Sequence, residues 1–299
     1  MSVKVVSLFW LASLCLASCK EKVVEKKDFT QFVNPFIGTD GTGHTFPGPC
    51  LPFGMVQPGP DNRDNGWDYT SGYQYQDSII IGFSQTRANG TGISEFGDVL
   101  LQPVTDSRIE KFGVAYNKKS EIATPGYYSV MLNNQVKVEL SASERVAFHQ
   151  YTYPSNQARL LVDIQHGLRF LTDSLVVESD VKITSQNSIS GFCHTKNWVD
   201  RKYFFQLTFD QPFVSQVELA KGPRERAPRY LLVFELSGRI LKAKVALSTV
   251  SVEGANLNLQ SEIPDWNFEK TVATAKEKWN EYLSRIEIEA DQRQKEIFY

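Results

Sequence analysis

The sequence predicts a mainly β protein, an antiparallel β-sandwich that gives way near its end to a helix. Three observations support this. Between Gly126 and about Val252, short runs of alternating apolar and polar residues recur with turn residues between them. The 299 residues hold 19 Phe, 12 Tyr and 5 Trp, a supply of aromatics that suits pleated, half-buried surfaces. Beyond Pro264 the apolar spacing lengthens from two residues to that of a helix.

The first residues stand apart from the fold. Lys4 supplies a positive start, Val5 to Ala17 form an apolar run too short to span a bilayer, and Leu16-Ala17-Ser18-Cys19 closes it. The tetrad resembles a bacterial lipobox. Residues 1–19 are therefore expected to be a lipoprotein signal, with Cys19 as the lipid-attachment residue. Several acyl chains on one residue anchor stably where one chain is marginal. Residues 20–28 are charged and lack aromatics up to Asp28, as a solvated tether should. Lys20-Glu21-Lys22 faintly resembles a surface-export signal, and a plain tether explains it equally well. The expected location is outside the inner membrane, lipid-anchored to the outer membrane and facing the periplasm or the cell surface. A net charge of −2 and a pI near 6.1 favour no nucleic-acid partner.

The sandwich domain is placed at residues 29–263. Tyr128, Val130 and Leu132 alternate, Asn133-Asn134 can turn, and Val136, Val138 and Leu140 alternate again, which predicts a hairpin. Further strands are expected at 146–153, 159–164, 181–184, 188–194 and 203–209. Tyr230 to Leu236, the Ser237-Gly238 turn and Ile240 to Leu247 suggest a second hairpin. Pro264 stops the sheet, and Asp265 or Asn267 can cap a helix whose Phe268, Val272, Ala275, Trp279, Tyr282 and Leu283 form one apolar stripe. Arg285 to Glu289 alternates like a short strand, and Asp291 to Glu296 looks like the polar first turns of a new helix. Residues 264–299 are thus a linker helix and the start of something further. Ile297-Phe298-Tyr299 ends the sequence on large apolar groups whose burial needs partners, so truncation is expected.

Once Cys15 and Cys19 are set aside, Cys50 and Cys193 remain. An oxidising compartment permits a disulfide, but their spacing says nothing of geometry and buried free thiols are the simpler expectation. No C-x-x-C or H-E-x-x-H spacing points to a metal.

Chemistry concentrates between Val33 and Val104. Gly and Pro residues there alternate with aromatics, amides and charges, as in Gly43-His44-Thr45-Phe46-Pro47-Gly48, Asp61-Asn62-Arg63-Asp64-Asn65-Gly66-Trp67 and Gly90-Thr91-Gly92. Glycines let a backbone approach closely and prolines stiffen loops, and binding residues commonly sit on such loops above a sheet. The side chains suit a sugar: Asp, Asn and Arg pair hydroxyls in forked geometry, and Trp67 or Tyr73 can cover an apolar ring face. Asp61 and Asp64 also fit turn formation beside Asn and Gly, and His44 also fits a satisfied loop histidine. Trp67, between Gly66 and Asp68, is poorly placed for a core. Asp61, Asp64, Asp68, Glu95 and Asp98 are acid–base candidates by type. An inverting pair must sit roughly 6.5–9.5 Å apart, and none is assigned as catalytic.

The ordered blocks V-N-P-F-I-G-T, G-H-T-F-P-G, P-F-G-M-V-Q, S-G-Y, G-F-S, G-T-G and G-D-V-L resemble glycoside hydrolase family 92. The similarity is sharpest from Phe32 to Val104 and returns at Ala275 to Tyr299. The resemblance implies an N-terminal, supersandwich-like β-sandwich and a C-terminal (α/α)6 barrel, before which this chain would be truncated. It implies an exo-acting, inverting, Ca2+-dependent α-mannosidase whose acid, base and metal ligands come mainly from the barrel, while N-terminal loops complete the pocket. Carried over, the substrate-binding candidates are His44, Phe53, Gly54, Asp61, Arg63, Trp67 and Arg87, with no catalytic residue and no metal ligand in this chain. The run Gln85-Thr86-Arg87-Ala88-Asn89-Gly90 departs from the His-Thr-His-Leu-Ser-Gly-like run of many members, which bears on linkage preference. The implied partners are a mannose-containing glycan, the chain's own catalytic domain and, through the lipid, a membrane. A stand-alone glycan-binding lipoprotein is the alternative, and a purely structural surface protein a third.

Overall fold

The computed structural model describes residues 27–105, 113–170 and 174–299. The expected signal, Cys19 and all of the tether before Lys27 lie outside the described residues. Among those described, the first strands are β1 (Gly59–Asp61), β2 (Ile79–Ile80), β3 (Gly82–Ser84), β4 (Leu100–Val104), β5 (Val114–Ala115), β6 (Ile122–Thr124), β7 (Tyr127–Met131) and β8 (Lys137–Ala142). Next come β9 (Val146–Thr152), β10 (Gln157–Asp163), β11 (Val176–Ser185), β12 (Ser188–Lys196) and β13 (Asp200–Phe209). After β14 (Phe213–Glu218), β15 (Arg229–Glu235) and β16 (Ile240–Ser248) follow helices α1 (Val252–Glu262), α2 (Phe268–Leu283) and α3 (Gln292–Phe298).

These strands form two antiparallel sheets face to face, as the alternation predicts. One runs β1-β3-β4-β10-β15-β14, the other β11-β12-β13-β16-β9-β8-β7-β6, and β2 and β5 make a small ribbon. Opposed residues share a face, so register explains the core: Leu160 faces Leu232 in the first sheet, and Phe205 faces Leu247 and Val138 faces Tyr151 in the second. All six are fully buried in one apolar cluster that fills the space between the sheets. The β7–β8 hairpin turns where expected, with Asn134 Oδ1 accepting from the Val136 N–H at 3.2 Å.

The second expected hairpin is corrected. β15 lies in the six-stranded sheet and β16 in the eight-stranded one, so Ser237-Gly238 carries the chain across the sandwich. The β9-to-β10 link crosses beside it, and the two are tied by Leu236 N–H to Asn156 O (2.7 Å) and Tyr153 N–H to Arg239 O (2.7 Å). Two-residue alternation shows that each strand has an inward face but not which sheet receives it.

The C-terminal boundary is corrected too. The sheet ends at Ser248, not near residue 263, because the Ser251 hydroxyl accepts from Gly254 N–H and starts α1. In that helix only Ala255 is buried, so its sequence shows no clear stripe. α2 starts at the Asn267 cap and places Phe268 and Ala275 against the outer face of the eight-stranded sheet. Phe268 joins Val146, Phe148, Ala246 and Ile263 in a second apolar cluster, with Trp266 and Val272 at its edge. Gly126 permits the approach: a Cβ there would lie 2.6 Å from Ala275 Cβ, and its φ is +82°. Arg285 to Glu289 is not a strand. It joins none of the described sheets, and alternation alone cannot supply backbone partners. α3 begins at Asp291 with a capping box to Gln294. Tyr299 stacks on Phe32, with centroids 5.7 Å apart. The end of the expected tether is not free either, since Asp28 pairs with Lys276 at 2.8 Å and Asn280 Nδ2 donates to Lys27 O at 2.9 Å.

Lys244 sits between the eight-stranded sheet and the helices. Its Nζ donates to Ile263 O at 2.8 Å and lies 4.0 Å from the centre of the Trp266 ring. Burial pulls its pKa down to about 8, against about 10.4 in an unfolded chain. Between these values the unfolded chain binds more protons, so stability rises with pH in that window. Urea midpoints measured from pH 7.5 to 10.5 should show this rise, and Lys244→Met should flatten it.

Candidate functional site

The Gly- and Pro-rich loops are built around one guanidinium. Arg87, just beyond β3, has a fully buried side chain. Its Nε donates to Gln57 O (2.9 Å). Its Nη1 donates to Ser71 O (2.7 Å), Asp61 Oδ1 (3.1 Å) and Pro60 O (3.3 Å). Its Nη2 donates to Gly59 O (2.9 Å), Ser84 O (3.1 Å) and Ser84 Oγ (3.2 Å). The Phe46 ring covers it, with its centre 4.6 Å from the Arg87 Cζ. The other Asp61 oxygen meets His166 Nε2 at 3.0 Å. Burial opposes protonation of His166, but the Asp61 carboxylate together with Asp163 and Asp64 outweighs it, and its pKa lies above the ordinary imidazole value. Gly72 faces this centre at φ +81°, where a Cβ would fall 2.1 Å from Asp61 Oδ1. Arg87 and Asp61, carried over as sugar contacts, thus have their hydrogen-bonding capacity occupied inside the protein and hold the loops instead.

The outer rim of the same loops carries His44 and Trp67. Their rings meet edge-on with centroids 4.4 Å apart, and Trp67 Nε1 donates to Gly92 O at 2.9 Å. Trp67 is 44% exposed, whereas His44 is buried, has a φ of 54° and leaves Nε2 without a partner. Ser94 Oγ reaches back to Gly66 O (3.5 Å), while Asn197 Nδ2 donates to Ser94 O (3.1 Å). Trp198 N–H donates to Glu95 Oε2 (3.0 Å). The other Glu95 oxygen is buried without a partner, and burial raises its pKa, opposed by the Trp198 N–H.

The remaining candidates separate. Arg63 is exposed over the Tyr69 ring and borders a cleft of about 1180 Å³ with Asp64, Asp77, Asp163, Glu225 and Arg229. Phe53 is 89% exposed and meets Tyr282 of α2, and Gly54 packs near Glu144. Among the other carboxylates, Asp98 is held by Arg201 Nη2 (2.7 and 2.8 Å) and Thr86 Oγ1 (2.7 Å), and Asp64 pairs with Arg169. Both retained thiols are free; burial pushes Cys50 to about 11 and Cys193 to about 12, which leaves them poor nucleophiles. Among the described residues no group of three or more His, Cys, Asp or Glu is arranged to hold a metal ion.

Sequence reasoning passed over His166, Asn197 and Trp198. For Trp198 a signal existed: it stands between amide and charged residues in Lys196-Asn197-Trp198-Val199-Asp200, the same misplacement that singled out Trp67.

A two-sheet sandwich with stiff, tryptophan-bearing loops at one end fits a carbohydrate-contacting β-domain. Residues 32–248 match the glycosyl hydrolase family 92 N-terminal domain and residues 254–299 match that family's catalytic domain. The chain belongs to glycosyl hydrolase family 92. An α-mannosidase of that family from Bacteroides thetaiotaomicron superposes with a TM-score of 0.82 at 28% identity, covering 91% of this chain and 40% of its own. In complex with mannoimidazole the match is 29% identical with a TM-score of 0.82, covering 91% of this chain and 39% of its own. A protein of Arthroderma benhamiae named as an uncharacterized secreted glycosidase is 27% identical over 304 residues, 88% of this chain and 39% of its own. The chain therefore spans about two fifths of the length of these relatives.

Removing the guanidinium should act on folding first. Arg87→Met leaves the buried Asp61 carboxylate with only His166, and breaking a buried pair in this way costs about 3–5 kcal/mol. Urea unfolding should report a loss of that size.

Proposed function

We propose that this chain is the N-terminal, sugar-contacting part of an exo-acting α-mannosidase that trims mannose from glycans outside the inner membrane. The full reading is an inverting, Ca2+-dependent enzyme, lipid-anchored through Cys19. Its acid, base and metal ligands lie mainly in a catalytic domain beyond this chain, and residues 27–299 alone are inactive. The observation that carries the proposal is the His44–Trp67 pair on loops fixed by Arg87. Family membership and the mannoimidazole complex of the Bacteroides relative support it, and the secreted relative agrees with an extracytoplasmic site.

In this reading the chain supplies position rather than proton transfer. Trp67 offers an apolar face to the C–H side of a pyranose. His44, whose ring meets that indole edge-on, keeps a buried Nε2 without a partner, an atom able to pair with a sugar hydroxyl. Inverting hydrolysis needs an acid and a base flanking a water. Asp61 and Asp98 are each locked to a guanidinium and so are poorly suited to either role. Rigid loops place the sugar without an ordering cost at each turnover.

A second reading, a stand-alone glycan-binding lipoprotein, has one observation in its favour. It requires Phe268 to Tyr299 to fold back on the sandwich, and Phe268 does pack there, while Tyr299 stacks on Phe32 ahead of the first strand. Release of mannose from an aryl α-mannoside separates the two. The protein extended by a catalytic domain should be active, lose activity on chelation of Ca2+ and fall at least tenfold as Trp67→Ala, whereas residues 27–299 should show none. Enzymatic turnover by residues 27–299 alone would overturn the division of roles. Tight mannoside binding without turnover by the extended protein would favour the second reading.

A further inference from the structure

The tip of the β12–β13 hairpin carries Trp198, which is 73% exposed. An exposed indole offers a flat apolar face on which the C–H side of a sugar ring can stack. The backbone around it is nevertheless fixed. Asn197 Nδ2 and Trp198 N–H both bind the 94–95 segment, and Arg201, just below the tip, holds Asp98. A pinned backbone presenting a free aromatic face has already met most of the ordering cost of binding.

Ser94 links this tip to the rim described above. Its hydroxyl meets Gly66 O, next to Trp67, and its carbonyl accepts from Asn197, next to Trp198. Two hydrogen bonds and one residue therefore separate the backbones that carry the two indoles, a span on the order of 10 Å. The surroundings differ. Trp67 stands among Gly-rich loops against a buried His44, whereas Trp198 is open at a hairpin tip, flanked by the polar pairs Lys196–Asp200 (3.2 Å) and His194–Asp200 (2.6 Å).

We propose that Trp198 stacks against a sugar on the leaving-group side of the scissile bond, adjacent to the terminal-mannose position bordered by Trp67. The inference rests on the mannosidase reading above. It assigns Trp198 to the part of the glycan that must project away from an exo-acting site, because its indole is the more exposed of the two, 73% against 44% for Trp67. Glu95 is then a positioning residue, whose carboxylate fixes the tip through the Trp198 N–H.

The test compares kcat/KM on a one-ring aryl α-mannoside with that on an α-linked mannotriose, using the protein with its catalytic domain. Trp198→Ala should lose roughly tenfold more on the triose than on the aryl substrate, the ratio that about 1.4 kcal/mol produces. The loss should lie in KM, Trp198→Phe should recover part of it, and the melting temperature should hold. An unchanged substrate ratio in an active enzyme overturns the inference and leaves the mannosidase reading standing. So does a fall in melting temperature with equal losses on both substrates, which marks Trp198 as a packing residue. A parent protein inactive on every α-mannoside overturns both.

Discussion

The buried guanidinium of Arg87 is the constraint on which the functional end of this molecule depends. A charge taken out of water is tolerated only when its donors are met. Here five backbone carbonyls, the Ser84 hydroxyl and the Asp61 carboxylate meet them. Because those acceptors come from residues 57–61, 71 and 84, one side chain ties β1, the end of β3 and the Ser71 loop together. Asp61 extends the network to His166, and Gly72 leaves room for it. Carbonyls such as those of Gln57 and Ser71, outside the strands, would otherwise lack this buried donor.

This centre and the rim above it have different roles. Below, charges are buried and paired, so they are unavailable to a ligand. Above, Trp67 and Trp198 are exposed, the first tied to Gly92 through its indole N–H and the second to Glu95 through its backbone N–H. The eight-stranded sheet joins both to the far side of the molecule: its inner face fills the sandwich, and its outer face receives Phe268 and Ile263 beside Lys244. A single sheet thus ties the loop end to the helices that begin the match to the family's catalytic domain.

The alternation of Val136, Val138 and Leu140, or of Tyr203, Phe205 and Leu207, was legible because burial of one face imposes a period of two on any sequence. The α2 stripe was legible for the same reason at a longer period. The blocks around Val33 to Val104 were legible as chemistry, since Gly, Pro and aromatics so mixed fit neither sheet nor helix. Less legible was the role of each charged residue there. Arg87 and Asp61 differ from Arg63 only in what the fold brings around them, and a carbonyl acceptor leaves no mark in a sequence.

By itself, then, the sequence determined the sandwich class, most strands, the capped helices α2 and α3, and the segment that bears the site. Local periodicity and side-chain chemistry suffice for those. Only the tertiary structure decided that β15 and β16 lie in opposite sheets, that α1 interrupts the end of the domain, and that Arg87 supports the loops while Trp198 stands beside Trp67. Each of these depends on contacts between residues far apart in the chain, such as Ser94 with Asn197 or Asp61 with His166. Such contacts are set by packing and by the satisfaction of buried polar groups, neither of which has a local period.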